Sequence, residues 1–288
     1  MSKNGLPRKP LTKRRLKNLI LNVLKNPFNM VVLVSLIILF CLIIIPLLTM
    51  ISSTFTLAQG ELRRVQGHVG DFTLYYWKYI LTGKLASAVL WGPLKNSFIC
   101  GFFTVLVSVP LGSVLAWLMI RTDLPGKKIL GLLVTVPYMI PSWTKALAWL
   151  AMFRNSTSGA NGFLAGLGIP VPDWLAYGPI AIVLCMSMHY YAFSYIMVSG
   201  ALRSINSELE EMGEIQGASK AQILRHITLP LILPSVLSAT VMTISKSIGT
   251  YGVPANLGNR IGYYTLATKM RTFIDQGPQA VGYAMSIV

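Results

Sequence analysis

Two lysines stand inside apolar stretches of the chain, where a charged side chain is costly and is therefore a candidate functional residue. Lys145 and Lys246 both fall toward the external half of segments long enough to cross a membrane. If both amines face a shared central cavity, they favour passage of an anionic or anion-complexed solute. The alternative is that each amine reaches the outer membrane surface along its own aliphatic stem. The sequence leaves both interpretations open.

Residue types that perform catalysis are present without the spacing that catalysis needs. The sequence contains no GxxxxGK[ST] phosphate loop, and the GASK run beginning at Gly217 is too short to form one. His68, His189 and His226 are scattered, with no second ligand at metal spacing. We therefore predict that this chain is not an enzyme and that it has no catalytic residues, metal site or cofactor of its own.

The strongest local pattern is a polar stretch between two apolar runs, SELEEMGEIQGASKAQILRHITLPLILP, which begins at Ser207. Capping boxes that start at Ser207 and Ser219 predict the beginnings of two helices. Gly217, between them, favours a left-handed turn that a residue with a side chain would resist. Pro230 and Pro234 are predicted to end the second helix and to start the next one. The stretch is thus expected to form a helical hairpin.

The spacing within this hairpin resembles the EAA loop in permease subunits of ATP-binding-cassette importers. The shared pattern is an acidic residue, a glycine, an isoleucine and a Leu-Pro pair, which here are Glu211, Gly217, Ile227, Leu229 and Pro230. The two alanines that follow the acid in that loop are Met212 and Gly213 in this sequence. An ordinary cytosolic hairpin is the alternative, but capping signals alone do not predict the interval from the glycine to Leu-Pro.

The resemblance implies that the hairpin sits in a groove on a separate subunit that binds and hydrolyses ATP. In that case Glu211 supplies charge at the contact, Gly217 permits the sharp bend, and Ile227 helps to anchor the second helix to the core. The residues implied to couple the chain to the ATPase are Glu211, Gly217, Ala218, Ser219, Ile227, Leu229 and Pro230.

The same resemblance implies other partners and a group of solutes. We expect an extracytoplasmic solute-binding protein that docks on residues 154–176 and 252–276, and either a second permease subunit or the second half of a fused chain. The segment GVPANLGNRIGYYTLATKM is similar to permeases for ferric iron, polyamines and phosphonates, with ferric iron as the first expectation. The pathway or gate residues implied in this way are Lys145, Lys246, Gly249, Tyr251 and Gly252.

An ion-coupled carrier or a membrane scaffold is the alternative class of function. A carrier is expected to bury paired carboxylates within its membrane spans. All nine Asp and Glu residues of this chain are predicted to lie in loops or in the hairpin. Their positions favour the importer.

Composition indicates a multi-pass membrane protein. Hydrophobic residues make up 53% of the chain, charged residues 12%, and the mean hydropathy is +0.60. The net charge of +16 does not indicate nucleic-acid binding, because residues 1–27 carry eight Lys or Arg and no Asp or Glu directly before an apolar run. The positive-inside rule predicts that this segment stays in the cytoplasm, where it would lie against the membrane lipid as an amphipathic basic segment. The resemblance implies that this membrane is the plasma membrane of a bacterial cell.

Apolar runs predict an all-α bundle of about six spans, which the resemblance identifies as the type I importer permease fold. The expected spans are 28–50, 96–120, 129–153, 177–202, 231–250 and a run that begins at residue 279 and is cut short. Pro137 and Pro141 should kink or partly unwind the third span. We expect three parts: residues 1–27, a first span with an external segment at 28–95, and a permease core at 96–288 that includes the coupling hairpin 207–230.

Overall fold

The computed structural model describes residues 27–61, 65–206 and 208–288. The predicted basic segment before residue 27 and the predicted cap Ser207 lie outside these residues. The described chain is α-helical, with short 3-10 and π turns between helices. Its helices are α1 Pro27–Ser53, α2 Tyr75–Leu81, α3 Gly92–Arg121, α4 Lys127–Met139, α5 Ser142–Phe153, α6 Phe163–Gly166, α7 Asp173–Ala176, α8 Pro179–Ser204, α9 Glu208–Ile215, α10 Lys220–Ile223, α11 Leu229–Ile248, α12 Gly252–Leu257, α13 Leu266–Gln276 and α14 Gln279–Ile287.

Four stretches of the described chain are long and apolar enough to cross a membrane. They are residues 27–53, 87–121, 173–204 and 220–248. These contain α1, α3, α8 and α11, which correspond to the first, second, fourth and fifth predicted spans. The sequence therefore predicted the long helices correctly, and the protein is an all-α membrane protein.

The predicted third span is divided into α4 and α5. Helix α4 ends at Met139, Ile140 takes an extended backbone conformation, and α5 begins at Ser142, directly after Pro141. Because proline has no backbone N–H and its ring crowds the preceding turn, Pro141 interrupts the helix here. Pro137, by contrast, lies inside α4. The predicted unwinding of this span is confirmed.

The prolines that follow the hairpin behave only partly as predicted. Pro230 stands in the first turn of α11, as expected for a helix start, but Pro234 lies inside that helix. Moreover, α10 joins α11 through a π turn at Leu224–Thr228, so the second hairpin helix runs directly into the long helix. A π turn shifts the backbone hydrogen-bond register by one residue, which accommodates the junction without a loop.

The centre of the bundle is the contact between α3 and α8, against which α11 also packs. Gly112 of α3 makes this close approach possible, because a Cβ atom there would lie 2.8 Å from Cβ of Ser194 on α8. Ala116 of α3 is buried in one cluster with Val198 and Leu202 of α8. This small-residue packing is typical of helices that associate within a membrane.

A second core lies between α2 and α14. Tyr76 and Ile80 of α2 are buried with Val281 and Met285 of α14. The Tyr76 hydroxyl accepts a hydrogen bond of 3.0 Å from the backbone N–H of Ala58. Aromatic residues of a segment expected to be external therefore pack inside the protein.

Candidate coupling hairpin and pathway cluster

The polar hairpin forms the helix, turn and helix that its sequence predicts. Gly217 adopts φ +84°, in the left-handed region, and Ala218 donates its backbone N–H to the carbonyl of Gly213 at 3.0 Å. Ser219 then caps α10, since its Oγ accepts the N–H of Gln222 at 3.4 Å and its own N–H bonds Oε1 of Gln222 at 2.8 Å. The predicted second capping box is confirmed.

The two helices of the hairpin pack closely because the first one carries a glycine. A Cβ atom on Gly213 would lie 3.2 Å from both Cγ1 of Ile223 and Cδ1 of Ile227. Ile223 is buried and Ile227 is half-buried, so both contribute to the contact between α9 and the helix that follows the turn. The glycine that stands where the related loop has alanine therefore permits close packing of the two helices.

An ion pair and two hydrogen bonds connect the hairpin to the membrane helices. Oε2 of Glu210 lies 3.1 Å from Nε of Arg121, the last residue of α3, and both side chains are less than one-fifth exposed. Oε1 of Glu210 accepts a 2.7 Å hydrogen bond from the hydroxyl of Thr228, which is 2% exposed. Arg121 also donates to the carbonyl of Ile205 at 3.4 Å. Glu210 therefore joins α9 to both α3 and the beginning of α11.

Several predicted coupling residues lie on the opposite, solvent-facing side of the hairpin. Glu211, Gly217 and Ser219 are exposed, and Ala218 is half-buried. Leu229 is 49% exposed and Pro230 is also exposed, so neither is held in the core of this chain. Glu211, Gly217 and Ser219 are thus accessible to a partner protein.

A cluster that we call the pathway cluster, formed by Lys145, His189 and Lys246, lies among three helices. Nζ of Lys145 on α5 is 2.5 Å from Nδ1 of His189 on α8. The His189 ring also lies close to the backbone carbonyl of Pro137. Pro141 has no N–H for that carbonyl, so the break in the helix leaves the carbonyl without its usual helical donor. His189 is within electrostatic reach of both lysines.

Aromatic rings surround this cluster. Tyr138 stacks on His189 with ring centroids 5.4 Å apart, and it also stacks on Phe193 at 5.9 Å. The amine of Lys246 lies 5.6 Å from the centroid of the Phe193 ring, within range of a cation–π contact. The two lysines predicted to line a pathway therefore approach the same aromatic group from α5 and α11.

The predicted gate residues lie next to this cluster, at the end of α11 and the start of α12. Gly249 and Tyr251 are exposed. A Cβ atom on Gly252 would lie 2.6 Å from Cβ of Trp143, so this glycine packs directly against α5. The hydroxyl of Thr250 is 2.7 Å from that of Tyr190 on α8. The junction is therefore in contact with both helices that hold the Lys145–His189 pair.

Two residues of these sites were missed by sequence reasoning. Glu210 enters the sequence pattern only as the last residue of the capping box that begins at Ser207, although its spacing from Gly213 places both on one helical face. His189 was interpreted as a scattered histidine, because its partner Lys145 is 44 residues away in the chain. The feature of the sequence that indicates a functional role for His189 is its position as a polar residue within an apolar span.

The family described as "Binding-protein-dependent transport system inner membrane component" matches residues 108–288. This region contains the hairpin, the pathway cluster and most of the helix bundle.

Individual proteins extend this similarity. A probable sulfate transport system permease protein of Marchantia polymorpha is 27% identical over 180 residues, which are 61% of this chain and 59% of that protein. A putative 2-aminoethylphosphonate transport system permease protein of Salmonella typhimurium is 28% identical over 217 residues, or 75% of this chain and 74% of that protein. One chain in the crystal structure of a bacterial ABC transporter involved in alginate import is similar to this chain, with a TM-score of 0.67 and 18% sequence identity. The match covers 94% of this chain and 92% of the transporter chain. The chain thus spans less than two thirds of the length of the Marchantia relative, and the alginate transporter shares its fold.

Proposed function

Because this chain belongs to the family of binding-protein-dependent transport system inner membrane components, we propose that it is the permease subunit of an ATP-driven importer for an anionic solute. The observation that supports this proposal best is the hairpin, which presents an exposed turn to a partner while Glu210 connects it to two membrane helices. A subunit that binds the turn and moves would transmit its displacement to α3 and α11. The ATP would be bound by that partner.

Coupling requires that the hairpin be stiff as well as exposed. The capping box at Ser219, the left-handed turn at Gly217 and the close contact at Gly213 fix the angle between its helices. In the proposed mechanism Glu211 and Ser219 face the ATPase, and Glu210 transmits the force inward. Closing of two ATPase subunits would then move the membrane helices between inward-facing and outward-facing arrangements.

The pathway cluster supports an anionic solute. Two lysine amines and a histidine ring meet there, and the nine Asp and Glu residues lie elsewhere, in turns, short helices and the hairpin. A cation would be repelled by two amines in a medium of low dielectric constant, whereas an anion would be attracted. The named solutes of two relatives, sulfate and 2-aminoethylphosphonate, are consistent with this charge. Ferric iron stays a prediction, and it fits the cluster only as an anionic complex.

The proposal includes further partners and an orientation. An extracytoplasmic solute-binding protein would dock on the segments 154–176 and 252–276, and a second permease subunit or permease half would complete the pathway. The hairpin and the N-terminal basic segment would lie in the cytoplasm of a bacterial cell, since the positive-inside rule places Lys- and Arg-rich segments there.

The direct test is co-purification of the full-length chain with candidate ATPase subunits in detergent. We expect the wild-type chain to retain an ATPase and the Gly217→Val variant to lose it, because a β-branched residue resists the left-handed turn. Glu211→Lys should also lose it through reversal of charge. The control is Asp123→Lys, an exposed acid at the same end of the bundle, which should retain the ATPase.

Uptake by vesicles that contain the assembled complex then tests which solute is transported. Sulfate and 2-aminoethylphosphonate are compared with a ferric complex and a polyamine. Uptake of a polyamine in preference to every anion would reject the anion assignment. Retention of the ATPase by both hairpin variants would reject the coupling role.

A further inference from the structure

A cavity of about 560 Å³ opens between α3, α4 and α8, at the end of the bundle that carries the hairpin. It is distinct from the pathway cluster and from the exposed face of the hairpin. Three basic residues line it, Lys127 and Lys128 at the start of α4 and Arg203 near the end of α8. Lys127 is 3.8 Å from Asp123 in an exposed ion pair, which neutralises its charge only weakly. The cavity is therefore strongly positive.

A buried hydroxyl in the cavity lacks a partner among the described residues. Ser199 is 6% exposed and lines the cavity, but its Oγ makes no hydrogen bond within the described chain. A buried polar group without a partner costs free energy, so such a group usually has a ligand or water as its partner. The first turn of α4 adds the partial positive charge of a helix N-terminus on the same side. These groups together suit a ligand with several acceptor oxygens.

The surroundings of the cavity are those of a membrane surface. Ile196 lines the cavity and is itself 43% exposed, and Ile120 and Met119 supply further apolar lining. Beside the opening, α4 exposes the apolar side chains of Ile129 and Leu132. A ligand with an anionic head and apolar chains would place its head among the three basic residues and its chains along these side chains.

We propose that this basic cavity binds a phosphate group, carried by an anionic phospholipid or by free phosphate at the membrane surface. Basic pockets between membrane helices on the cytoplasmic side are suited to anionic lipid headgroups, and each nearby Lys or Arg strengthens the attraction. Arg203 would contact the phosphate oxygens through its planar guanidinium, and rotation of the Ser199 side chain would bring its hydroxyl to the same oxygens. The proposal does not depend on transport, because it rests on residues outside the coupling and pathway sites.

The test is native mass spectrometry of the full-length chain with phosphatidylglycerol or with phosphatidylcholine added. We expect phosphatidylglycerol to be retained in preference, and the double variant Lys128→Gln/Arg203→Gln to lower its retention about tenfold. Gly200→Leu should lower retention as well. Gly200 lines the cavity and has open space beyond its Cα atom, so leucine would fill the site without displacing the backbone.

The matched control is Lys78→Gln/Lys84→Gln, which removes two exposed cations from outside the cavity and should leave retention unchanged. Inorganic phosphate, added alone in a thermal-unfolding assay and as a competitor in the lipid assay, separates the two sources. If phosphatidylglycerol stays bound when phosphate is added, the ligand is the lipid. If phosphate alone raises the thermal midpoint of the wild-type chain but not that of the cavity variants, the ligand is the free anion. The proposal would be overturned if both lipids were retained equally and phosphate did not raise the thermal midpoint. It would also be overturned if the cavity variants behaved like the wild-type chain.

Discussion

Adjacent glutamates in α9 have different surroundings because a helix turns by about 100° per residue. Glu210 faces Arg121 and Thr228, on the side where Gly213 packs against the second hairpin helix. Glu211 faces solvent. The sequence pattern directed attention to Glu211, whereas the contacts within this chain are made by Glu210. The two residues should therefore have separable effects on stability and coupling.

The Glu210→Gln substitution keeps the shape of the side chain and removes its charge. We expect the free energy of unfolding to fall by about 2 kcal/mol, because Arg121 loses its charged partner in a partly buried site. Thermal unfolding in detergent measures this loss. Glu211→Gln should unfold like the wild-type chain but bind the proposed ATPase partner less tightly. An equal thermal midpoint for the two variants would contradict the assignment of Glu210, and a double-mutant cycle with Arg121→Gln isolates the pair itself.

Replacing Lys246 by methionine should weaken transport of the proposed anionic solute without affecting assembly. Its amine is exposed beside Phe193, so the substitution removes an attractive charge and leaves the packing intact. We expect KM for uptake to rise about tenfold, which corresponds to about 1.4 kcal/mol. Lys84→Met, outside the cluster, is the control and should leave KM unchanged. An unchanged KM for Lys246→Met would show that this amine only reaches toward the membrane surface.

At the scale of the element, the contact between α3 and α8 depends on the absence of side chains. Gly112 lies where α8 approaches most closely, whereas a Cβ atom on Gly200 of α8 would meet nothing within 4 Å. Because membrane helices gain little from the hydrophobic effect when they associate, close van der Waals contact supplies much of their attraction. The two glycines therefore respond differently to the same substitution.

Gly112→Ala should force α3 and α8 apart. The added methyl group would lie 2.8 Å from Cβ of Ser194 and from the backbone nitrogen of Tyr195, and closer still to the carbonyl oxygen of Tyr191, so one helix must shift. We expect a loss of about 2 kcal/mol, at the upper end of the cost of adding a carbon to a tightly packed interior. Gly200→Ala, the control, should be neutral or stabilise the helix by up to about 1 kcal/mol. Thermal midpoints of the purified variants compare the two, and equal midpoints would contradict this account of the contact.

Local patterns predicted the elements that depend on neighbouring residues. The capping box at Ser219, the left-handed Gly217 and the break at Pro141 were all found in this way, since each is determined within a few positions of the chain. The π turn before α11 and the burial of α12 were not predicted. Val253 and Leu257 of α12 are buried against α5 and α8, in a segment expected to be an external connection. Such packing depends on helices distant in sequence, and six residues are too few for periodicity to show it.

At the scale of the whole molecule, the first and last described helices meet. No residue of α1 is buried, so this helix presents its surface almost entirely outward. Its main neighbour is α14, where the hydroxyl of Ser286 lies 3.6 Å from Sδ of Met50. Helix α14 also packs on α2 and α13, so it holds the first span against the bundle. Sequence reasoning could not find this arrangement, because apolar runs specify that a helix lies in the membrane but not which neighbour it touches.

The contact between α1 and α14 can be tested by cross-linking in native membranes. In a background where the exposed Cys41 is replaced by serine, the pair Met50→Cys and Ser286→Cys should react rapidly with a short thiol-specific cross-linker, since the native side-chain atoms are in contact. Cys100 and Cys185 are buried and should not compete. In the control, Ser286→Cys is combined with Ile37→Cys. At 1.5 Å per residue, Ile37 lies about 20 Å from Met50 along α1, so this pair should not react. Equal yields for the two pairs would mean that α1 moves freely beside the bundle, and a rapid reaction confined to the Met50 pair would show that α14 holds α1 in this register.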